Sequence, residues 1–218
     1  MDLKIDKKTV VVFDLDDTLY NELDFLKSAF KEICSRLDSK NSKFLFSVIF
    51  SMYRNKKNVF EYLSDQYKID KDVLLDMYRN HFPNLNLKES SKKLFDSIKK
   101  KKGKIGIITD GRSYTQRNKI RALEIEKYVD CTIISEEIGA EKPSEMPFLK
   151  IQDYFKLENY IYVADNTRKD FLAPNKLGWD SIELVDNGKN IHSNSFLYLE
   201  PKFRAKNIIY SLAEIEII

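Results

Sequence analysis

Three aspartates, Asp14, Asp16 and Asp17, follow directly on a short apolar segment near the N-terminus. Carboxylates this close together repel one another, and two unit charges about 4 Å apart cost roughly 4 kcal/mol at an effective dielectric constant near 20. A positive charge must offset that repulsion. The cluster therefore indicates a ligand-binding or catalytic site, although one Asp-x-Asp motif is weak alone because turns also use aspartate.

The segment before the aspartates has the composition of a buried strand. Residues 10–13 are an unbroken run of β-branched and aromatic side chains, which is typical of a central strand in a parallel sheet. Similar segments at 105–109, 131–134 and 160–164 are separated by helical patterns, which predicts βαβ units and a parallel sheet. Ligands bind at the carboxyl ends of strands in such sheets, which is where the aspartates lie.

Polar residues also follow or end the later segments. Thr109 ends one predicted strand, Asp165 follows another, and Lys142 lies in the intervening Glu-Lys-Pro sequence. Each has a common structural explanation when taken singly, since a threonine can end a strand, an aspartate can cap a helix and most lysines are exposed. Their occurrence together, in order along the chain, favours a shared site.

These four motifs together resemble the haloacid dehalogenase-like hydrolase superfamily. The motifs are the Asp14-x-Asp16 sequence, the 109–111 sequence, the lysine motif at 141–143 and the acidic motif at 165–170. The resemblance covers the whole chain. Two positions depart from the usual form: this chain has Asp110 where asparagine is frequent and Ala164 where glycine is usual.

The resemblance implies a covalent mechanism with a metal ion. Asp14 would be the nucleophile that forms an aspartyl-phosphate, and Asp16 would be the general acid and base. The implied cofactor is Mg²⁺, which prefers oxygen ligands and keeps several waters. Its ligands would be the Asp14 and Asp165 side chains and the backbone carbonyl of Asp16.

The remaining motif residues are implied to bind the phosphoryl group. Thr109 and Lys142 would contact its oxygens. Asp170 would orient Lys142 without contacting the phosphoryl group itself. The backbone N–H groups of Asp110 and Gly111 would add fixed donors.

The family resemblance also implies a domain organisation. The fold class is α/β, with a Rossmann-like parallel sheet flanked by helices and a small all-helical cap domain inserted after the first strand. We expect residues 1–20 and 91–218 to form the catalytic core and residues 21–90 to form the cap. Apolar residues recur at helical spacing in that insertion, and a helix is predicted over 70–82 with Asp70 as its N-cap.

The predicted function is a Mg²⁺-dependent phosphomonoester hydrolase that acts on a small phosphorylated metabolite. Within the superfamily, the sequences at 109–112 and 135–143 are most similar to helical-cap nucleotidases and sugar-phosphate phosphatases, so a nucleoside monophosphate or a sugar phosphate is expected. The candidate substrate contacts, chosen by position alone, are Tyr20, Glu22, Arg112 and Tyr114.

Two other functions remain open at this point. A phosphosugar mutase keeps the same core residues and differs mainly in the cap. A non-catalytic sensor of phosphorylated metabolites would be favoured if a core residue were missing, and none is. A hydrolytic dehalogenase is disfavoured, because that branch lacks an acid–base aspartate at the position of Asp16.

Composition and charge exclude some partners. The net charge is only +3, with basic and acidic residues interspersed, so no nucleic-acid partner is expected. No stretch approaches the roughly 18 apolar residues of a membrane helix, and the first residues do not resemble a signal peptide. We therefore expect a cytoplasmic protein without a membrane partner, and the sequence predicts no oligomeric state.

Overall fold

A computed structural model describes all 218 residues of the chain. Its main feature is a six-stranded sheet with the strand order β4-β3-β2-β5-β6-β7, in which every neighbouring pair is parallel. A second sheet pairs β1 with β8 near the two chain ends. The strands are β1 (Asp2–Leu3), β2 (Thr9–Phe13), β3 (Lys104–Thr109), β4 (Cys131–Ile134), β5 (Asn159–Ala164), β6 (Asp180–Leu184), β7 (Asn207–Ile209) and β8 (Glu216–Ile217).

Helices connect the consecutive strands from β2 to β6, as is usual for parallel pairing. The helices are α1 (Glu22–Leu37), α2 (Ser42–Arg54), α3 (Val59–Tyr67), α4 (Lys71–Arg79), α5 (Glu89–Lys100), α6 (Ser113–Ala122), α7 (Ser135–Ile138), α8 (Met146–Phe155) and α9 (Leu172–Lys176). Short 3₁₀ turns lie at Ser195–Leu197, Pro201–Phe203 and Leu212–Glu214. No helix combines the length and the apolar composition that crossing a bilayer requires.

The central strand β2 is buried on both faces, as its composition predicts. Successive side chains of a strand point to opposite faces. Phe13 accordingly packs against Phe95 of α5, with ring centroids 5.2 Å apart, while Val10 and Val12 belong to the cluster around Phe148 of α8. The α/β fold with a parallel sheet between helical layers is therefore confirmed.

In the sequence, helices α1 to α4 lie between β2 and α5. They have a hydrophobic core of their own. Buried residues from Leu23 to Leu74 form this cluster, separate from the two clusters on the faces of the sheet. The helix predicted over 70–82 is present as α4 but ends at Arg79, three residues earlier than predicted. Its N-cap is Asp70 as predicted, and the Asp70 carboxylate accepts from the Asp72 N–H at 2.8 Å. The assignment of this helical layer as a cap domain over 21–90 stays a prediction.

A buried histidine joins α1 to the segment that leads back to the sheet. His81 Nε2 lies 2.7 Å from Ser28 Oγ, and its Nδ1 contacts the Glu32 carboxylate. A carboxylate only accepts, so Nδ1 carries the proton, and in the neutral ring Nε2 accepts from the Ser28 hydroxyl. The Asn84 N–H also donates to Ser28 Oγ at 2.9 Å.

Replacing His81 with phenylalanine should lower the free energy of unfolding by about 1–3 kcal/mol, because two hydrogen bonds are lost and the Ser28 hydroxyl loses its acceptor. Urea denaturation measures this change. Glu32→Gln and the double variant complete a cycle in which the two effects should be less than additive. Fully additive effects would show that the two side chains do not act together.

Residues 185–206, for which the sequence shows no clear periodicity beyond a turn at 186–188, form a long connection between β6 and β7. The Asp-Asn-Gly sequence at 186–188 forms a turn: Gly188 has φ +83°, and its N–H donates to Asp186 Oδ1 at 2.7 Å. The Asn190 N–H donates to the same oxygen at 3.1 Å. The first half of this connection reaches the carboxyl end of the sheet.

Candidate active site

The turn after β2 positions the first two aspartates of the motif. The Asp14 N–H donates to the Val163 carbonyl at 3.0 Å, which extends the pairing with β5 by one residue. Asp17 then adopts φ +58°, in the left-handed region that aspartate tolerates better than most residues. The chain reverses there, so that Asp14 and Asp16 remain at the carboxyl edge of the sheet.

Asp17 itself is explained by the turn. Its carboxylate accepts from the N–H of Glu22, the first residue of α1, and from the N–H of Ile191, each at 2.8 Å. An acid at a helix N-terminus satisfies an otherwise unpaired N–H group and the helix dipole. This third acid of the sequence cluster therefore holds three chain segments together.

Lys142 lies between two buried carboxylates. Its Nζ is 2.7 Å from Asp14 Oδ1, 2.7 Å from Asp170 Oδ1 and 3.0 Å from the Tyr162 hydroxyl. Burial opposes the charged ammonium, but Asp14 and Asp170 hold the pKa of Lys142 well above its ordinary value. The Asn166 N–H fixes the second oxygen of Asp170 at 3.0 Å. The structure thus brings Asp14 into contact with Lys142, although the two residues are 128 positions apart in the sequence.

Asp165 joins this group without a cation of its own. One carboxylate oxygen from each of Asp14, Asp165 and Asp170 lies within 4.8 Å of the others. The Thr18 hydroxyl and the Asn190 side-chain amide donate to Asp165 at 3.1 and 2.9 Å. Burial, together with the charges of Asp14 and Asp170, raises the pKa of Asp165 well above its ordinary value.

A hard cation fits this donor set. Two of the three carboxylates, Asp14 and Asp165, are the predicted side-chain ligands, whereas Asp170 is already paired with Lys142. Mg²⁺ takes one or two carboxylates together with waters and phosphate oxygens, so this arrangement suits it. The side chain of Asp16 lies outside the cluster, and only its backbone carbonyl was predicted to be a ligand.

Three side chains hold Asp16, and two of them, Lys119 and Gln116, are not indicated by any motif in the sequence. Lys119 Nζ contacts both oxygens of Asp16, at 2.7 and 2.9 Å, and the Gln116 amide donates to one of them at 2.9 Å. The Tyr20 hydroxyl donates to the other. Burial opposes ionisation, but Lys119 and these hydrogen bonds keep the pKa of Asp16 below its ordinary value.

Gln116 and Lys119 are both buried on α6, three residues apart and therefore on one helical face. Lys119 Nζ also lies 4.6 Å from the centre of the Phe25 ring of α1. The signal in the sequence is that these polar residues share the face of the buried Ile120. It is weak, because helical spacing alone does not show which face meets the sheet.

The motif after β3 is arranged partly as predicted. Thr109 ends the strand, is buried, and accepts a hydrogen bond from Gln116. Asp110 accepts from the Lys142 N–H at 3.1 Å and from Lys169 Nζ at 2.8 Å. Gly111 has φ +131°, which requires glycine, but its N–H donates to Ser135 Oγ at 2.9 Å instead of facing the carboxylates.

The carboxylates surround a cavity of about 180 Å³. Of the predicted substrate contacts, Glu22 lines it and Tyr20 reaches it through Asp16. Arg112 is exposed and outside the cavity, and Tyr114 lines a different cavity beside the edge strand β4. The cavity is lined by Asp14, Asp16, Asp17, Glu22, Asp110, Asp165, Asn166, Lys169 and His192.

Lys169 is the one lysine that lines this cavity, and its position inside the last motif does not by itself indicate a role. Its contact with Asp110 places a second cation near Lys142. Burial raises the pKa of Glu22 to about 8, and the neighbouring Asp16 adds to that rise. The cavity is therefore rich in carboxylates that need a positive partner.

The sequence matches the family of haloacid dehalogenase-like hydrolases over residues 11–184. This match covers well over half of the chain, and the protein belongs to that family. A curated relative, the glyceraldehyde 3-phosphate phosphatase of Methanocaldococcus jannaschii, is 28% identical over 192 residues, which are 80% of this chain and 84% of the relative. The predicted family is confirmed, and a phosphatase as the class of enzyme agrees with this relative.

Solved structures show the same fold. A protein assigned as the β-phosphoglucomutase of Thermotoga maritima superposes with a TM-score of 0.67 at 16% identity, covering 94% of this chain and 95% of that one. A phosphatase of the same superfamily from Thermococcus onnurineus superposes with a TM-score of 0.60 at 19% identity, covering 94% and 95%. At this level of identity the likeness concerns the fold alone.

Proposed function

We propose that this protein is a Mg²⁺-dependent phosphomonoester hydrolase that acts on a small phosphorylated metabolite through an aspartyl-phosphate on Asp14. The observation that carries the proposal is the buried contact of Lys142 with Asp14 and Asp170, next to the Asp165 carboxylate. A nucleophilic carboxylate, a fixed cation and a second acid for a metal are the parts that phosphoryl transfer to an aspartate requires.

The Asp14 and Asp165 side chains and the Asp16 carbonyl would hold Mg²⁺. When bound, the cation reduces the repulsion between these carboxylates and an anionic phosphate. Lys142 and Lys169 add positive charge on the protein side of the cavity. Lys142 contacts only Oδ1 of Asp14, which leaves Oδ2 without a lysine partner.

The reaction then proceeds in two steps. The free Asp14 oxygen attacks phosphorus, a new O–P bond forms, and the bond to the ester oxygen breaks while Asp16 gives that oxygen a proton. Water then attacks phosphorus and gives a proton to Asp16, the bond between phosphorus and the Asp14 oxygen breaks, and inorganic phosphate leaves. Both Asp16 oxygens are paired with Lys119, which keeps the pKa of this carboxyl low. Its side chain must therefore turn away from Lys119 and take up a proton from water before it can act as the acid toward the leaving oxygen.

A sugar phosphate is the preferred substrate class. The curated relatives from Methanocaldococcus jannaschii and Pyrococcus furiosus are both named glyceraldehyde 3-phosphate phosphatase, and each aligns with about four fifths of this chain. The cavity of about 180 Å³ around the carboxylates is large enough for a phosphoryl group and little more. The rest of the substrate would therefore extend beyond that cavity.

The test is release of inorganic phosphate from sugar phosphates, nucleoside monophosphates and p-nitrophenyl phosphate. We expect turnover with millimolar Mg²⁺ and at least about a hundredfold less with excess chelator, because the carboxylate repulsion is then uncompensated. Product analysis separates the alternatives: a mutase would return an isomeric sugar phosphate without free phosphate. Binding of a phosphorylated metabolite without any turnover would favour the non-catalytic sensor.

A further inference from the structure

A second cavity adjoins the cavity that the catalytic carboxylates surround. Its volume is about 580 Å³, and it lies between the helical layer and the connection after β6. Cations from both sides line it: Arg54, Lys56 and Lys57 at the end of α2, and Lys189 on the connection. We refer to it as the basic cavity.

These four cations have no acidic partner. None of Arg54, Lys56, Lys57 and Lys189 forms an ion pair in the structure. The one carboxylate in the lining, Asp186, uses one oxygen to accept from two N–H groups of its own turn. Four clustered like charges repel one another, so an anion that binds among them is stabilised.

The two cavities share a wall. Ile191 and Ser193 line the basic cavity. His192, which lies between them in the chain, lines the cavity that the catalytic carboxylates surround, which we call the acidic cavity. The Ile191 N–H is bound to Asp17, which also lines the acidic cavity. Burial raises the pKa of Tyr53 in the basic cavity, and the charges of Glu22 and Asp17 across this wall add to the rise. Only the 191–193 segment therefore separates the basic cavity from a phosphoryl group beside Asp14.

We propose that the basic cavity binds a second anionic group of the substrate, a carboxylate or another phosphate, so that the preferred substrate is a phosphomonoester with anions at both ends. This inference rests on the proposed phosphatase function and narrows its substrate class. It distinguishes this chain from relatives named for glyceraldehyde 3-phosphate, a compound with one anionic group. A phosphate monoester without the second anion would leave the four cations unpaired.

The experiment compares substrates that differ in the second anion. The carboxylate arm pairs 3-phosphoglycerate with glyceraldehyde 3-phosphate, and the phosphate arm pairs fructose 1,6-bisphosphate with fructose 6-phosphate. In at least one arm, kcat/KM should be about tenfold or more higher for the two-anion substrate, mainly through a lower KM. This preference should shrink in 0.5 M salt, because exposed charges are screened within a few ångströms there.

The double variant Lys56→Gln/Lys57→Gln should reduce that preference by about three- to tenfold, as expected for two exposed charges. The matched control is Lys40→Gln/Lys43→Gln, which removes the same charge from exposed positions of the same helical layer and should keep the preference. Equal kcat/KM values in both arms, or equal effects of the two double variants, would overturn the inference.

A binding measurement separates this inference from the proposed function. Calorimetry on Asp14→Asn with Mg²⁺ should show tighter binding of 3-phosphoglycerate than of glycerol 3-phosphate, and Lys56→Gln/Lys57→Gln in that background should remove the difference. If p-nitrophenyl phosphate and all sugar phosphates resist hydrolysis but this difference persists, the phosphatase proposal fails and the anion site stands. Equal affinities for 3-phosphoglycerate and glycerol 3-phosphate, together with hydrolysis of sugar phosphates, would support the phosphatase proposal and rule out the anion site.

Discussion

Replacing Asp14 with asparagine should reduce phosphate release by at least about 10⁴-fold, as removal of a nucleophile does in other enzymes that use covalent catalysis. The amide has nearly the same shape but cannot form the acyl phosphate. It can still accept a hydrogen bond from Lys142, whose charge remains balanced by Asp170. We therefore expect the fold to persist, which circular dichroism and thermal melting would check alongside steady-state kinetics.

The matched control is Asp17→Asn, in the same turn. Its two hydrogen bonds, from Glu22 and Ile191, go to backbone N–H groups, and an asparagine can accept one of them. The loss of activity should stay below about tenfold, because this carboxylate touches neither phosphorus nor Lys142. If Asp14→Asn retained a tenth of the wild-type rate, the nucleophile assignment would be wrong.

Lys142→Met should be the most destabilising single change at the site. Its ammonium is the shared partner of Asp14 and Asp170, and the side chains of all three residues are at most 6% exposed. Removing one partner of a buried ionic group leaves uncompensated charge and costs about 3–5 kcal/mol. For a chain of this size, that corresponds to a fall in Tm of roughly 6–20 °C.

Two further variants show whether the cause is charge. Lys142→Met/Asp170→Asn removes one of the stranded carboxylates, so it should recover part of the stability lost by the single variant. Lys8→Met breaks an exposed ion pair with Glu158 and should cost at most about 1 kcal/mol. Urea denaturation of all three gives the comparison. If Lys142→Met cost no more than Lys8→Met, the buried network would have no role in stability.

The parts of the site that the sequence predicts are those that lie at the ends of strands. A run such as residues 10–13 identifies its own strand, and parallel pairing then brings the carboxyl ends of such strands to one edge. Asp14 and Asp165 meet there for that reason, and Lys142 reaches them from the loop between α7 and α8. Their positions follow from local composition and from the order of motifs along the chain.

The parts of the site that the sequence does not predict depend on which surfaces of the helices and loops meet in three dimensions. The Lys119 contact with Asp16 needs the orientation of α6, and the two residues are 103 positions apart. The Asn190 contact with Asp165 comes from a connection without any periodic pattern. Arg112 and Tyr114 fail to reach the acidic cavity for the same reason, since closeness in sequence to Gly111 does not determine the side on which a residue lies.

The position of β2 in the middle of the sheet has a consequence for how the site opens. The Asp14 N–H donates to the neighbouring strand β5, and β3 covers the other side of β2, so exchange of these amide protons needs the sheet itself to unfold. The connection at 186–193 has few buried apolar residues and can open at far lower free energy. The connection can thus open locally while the reacting carboxylate stays in place.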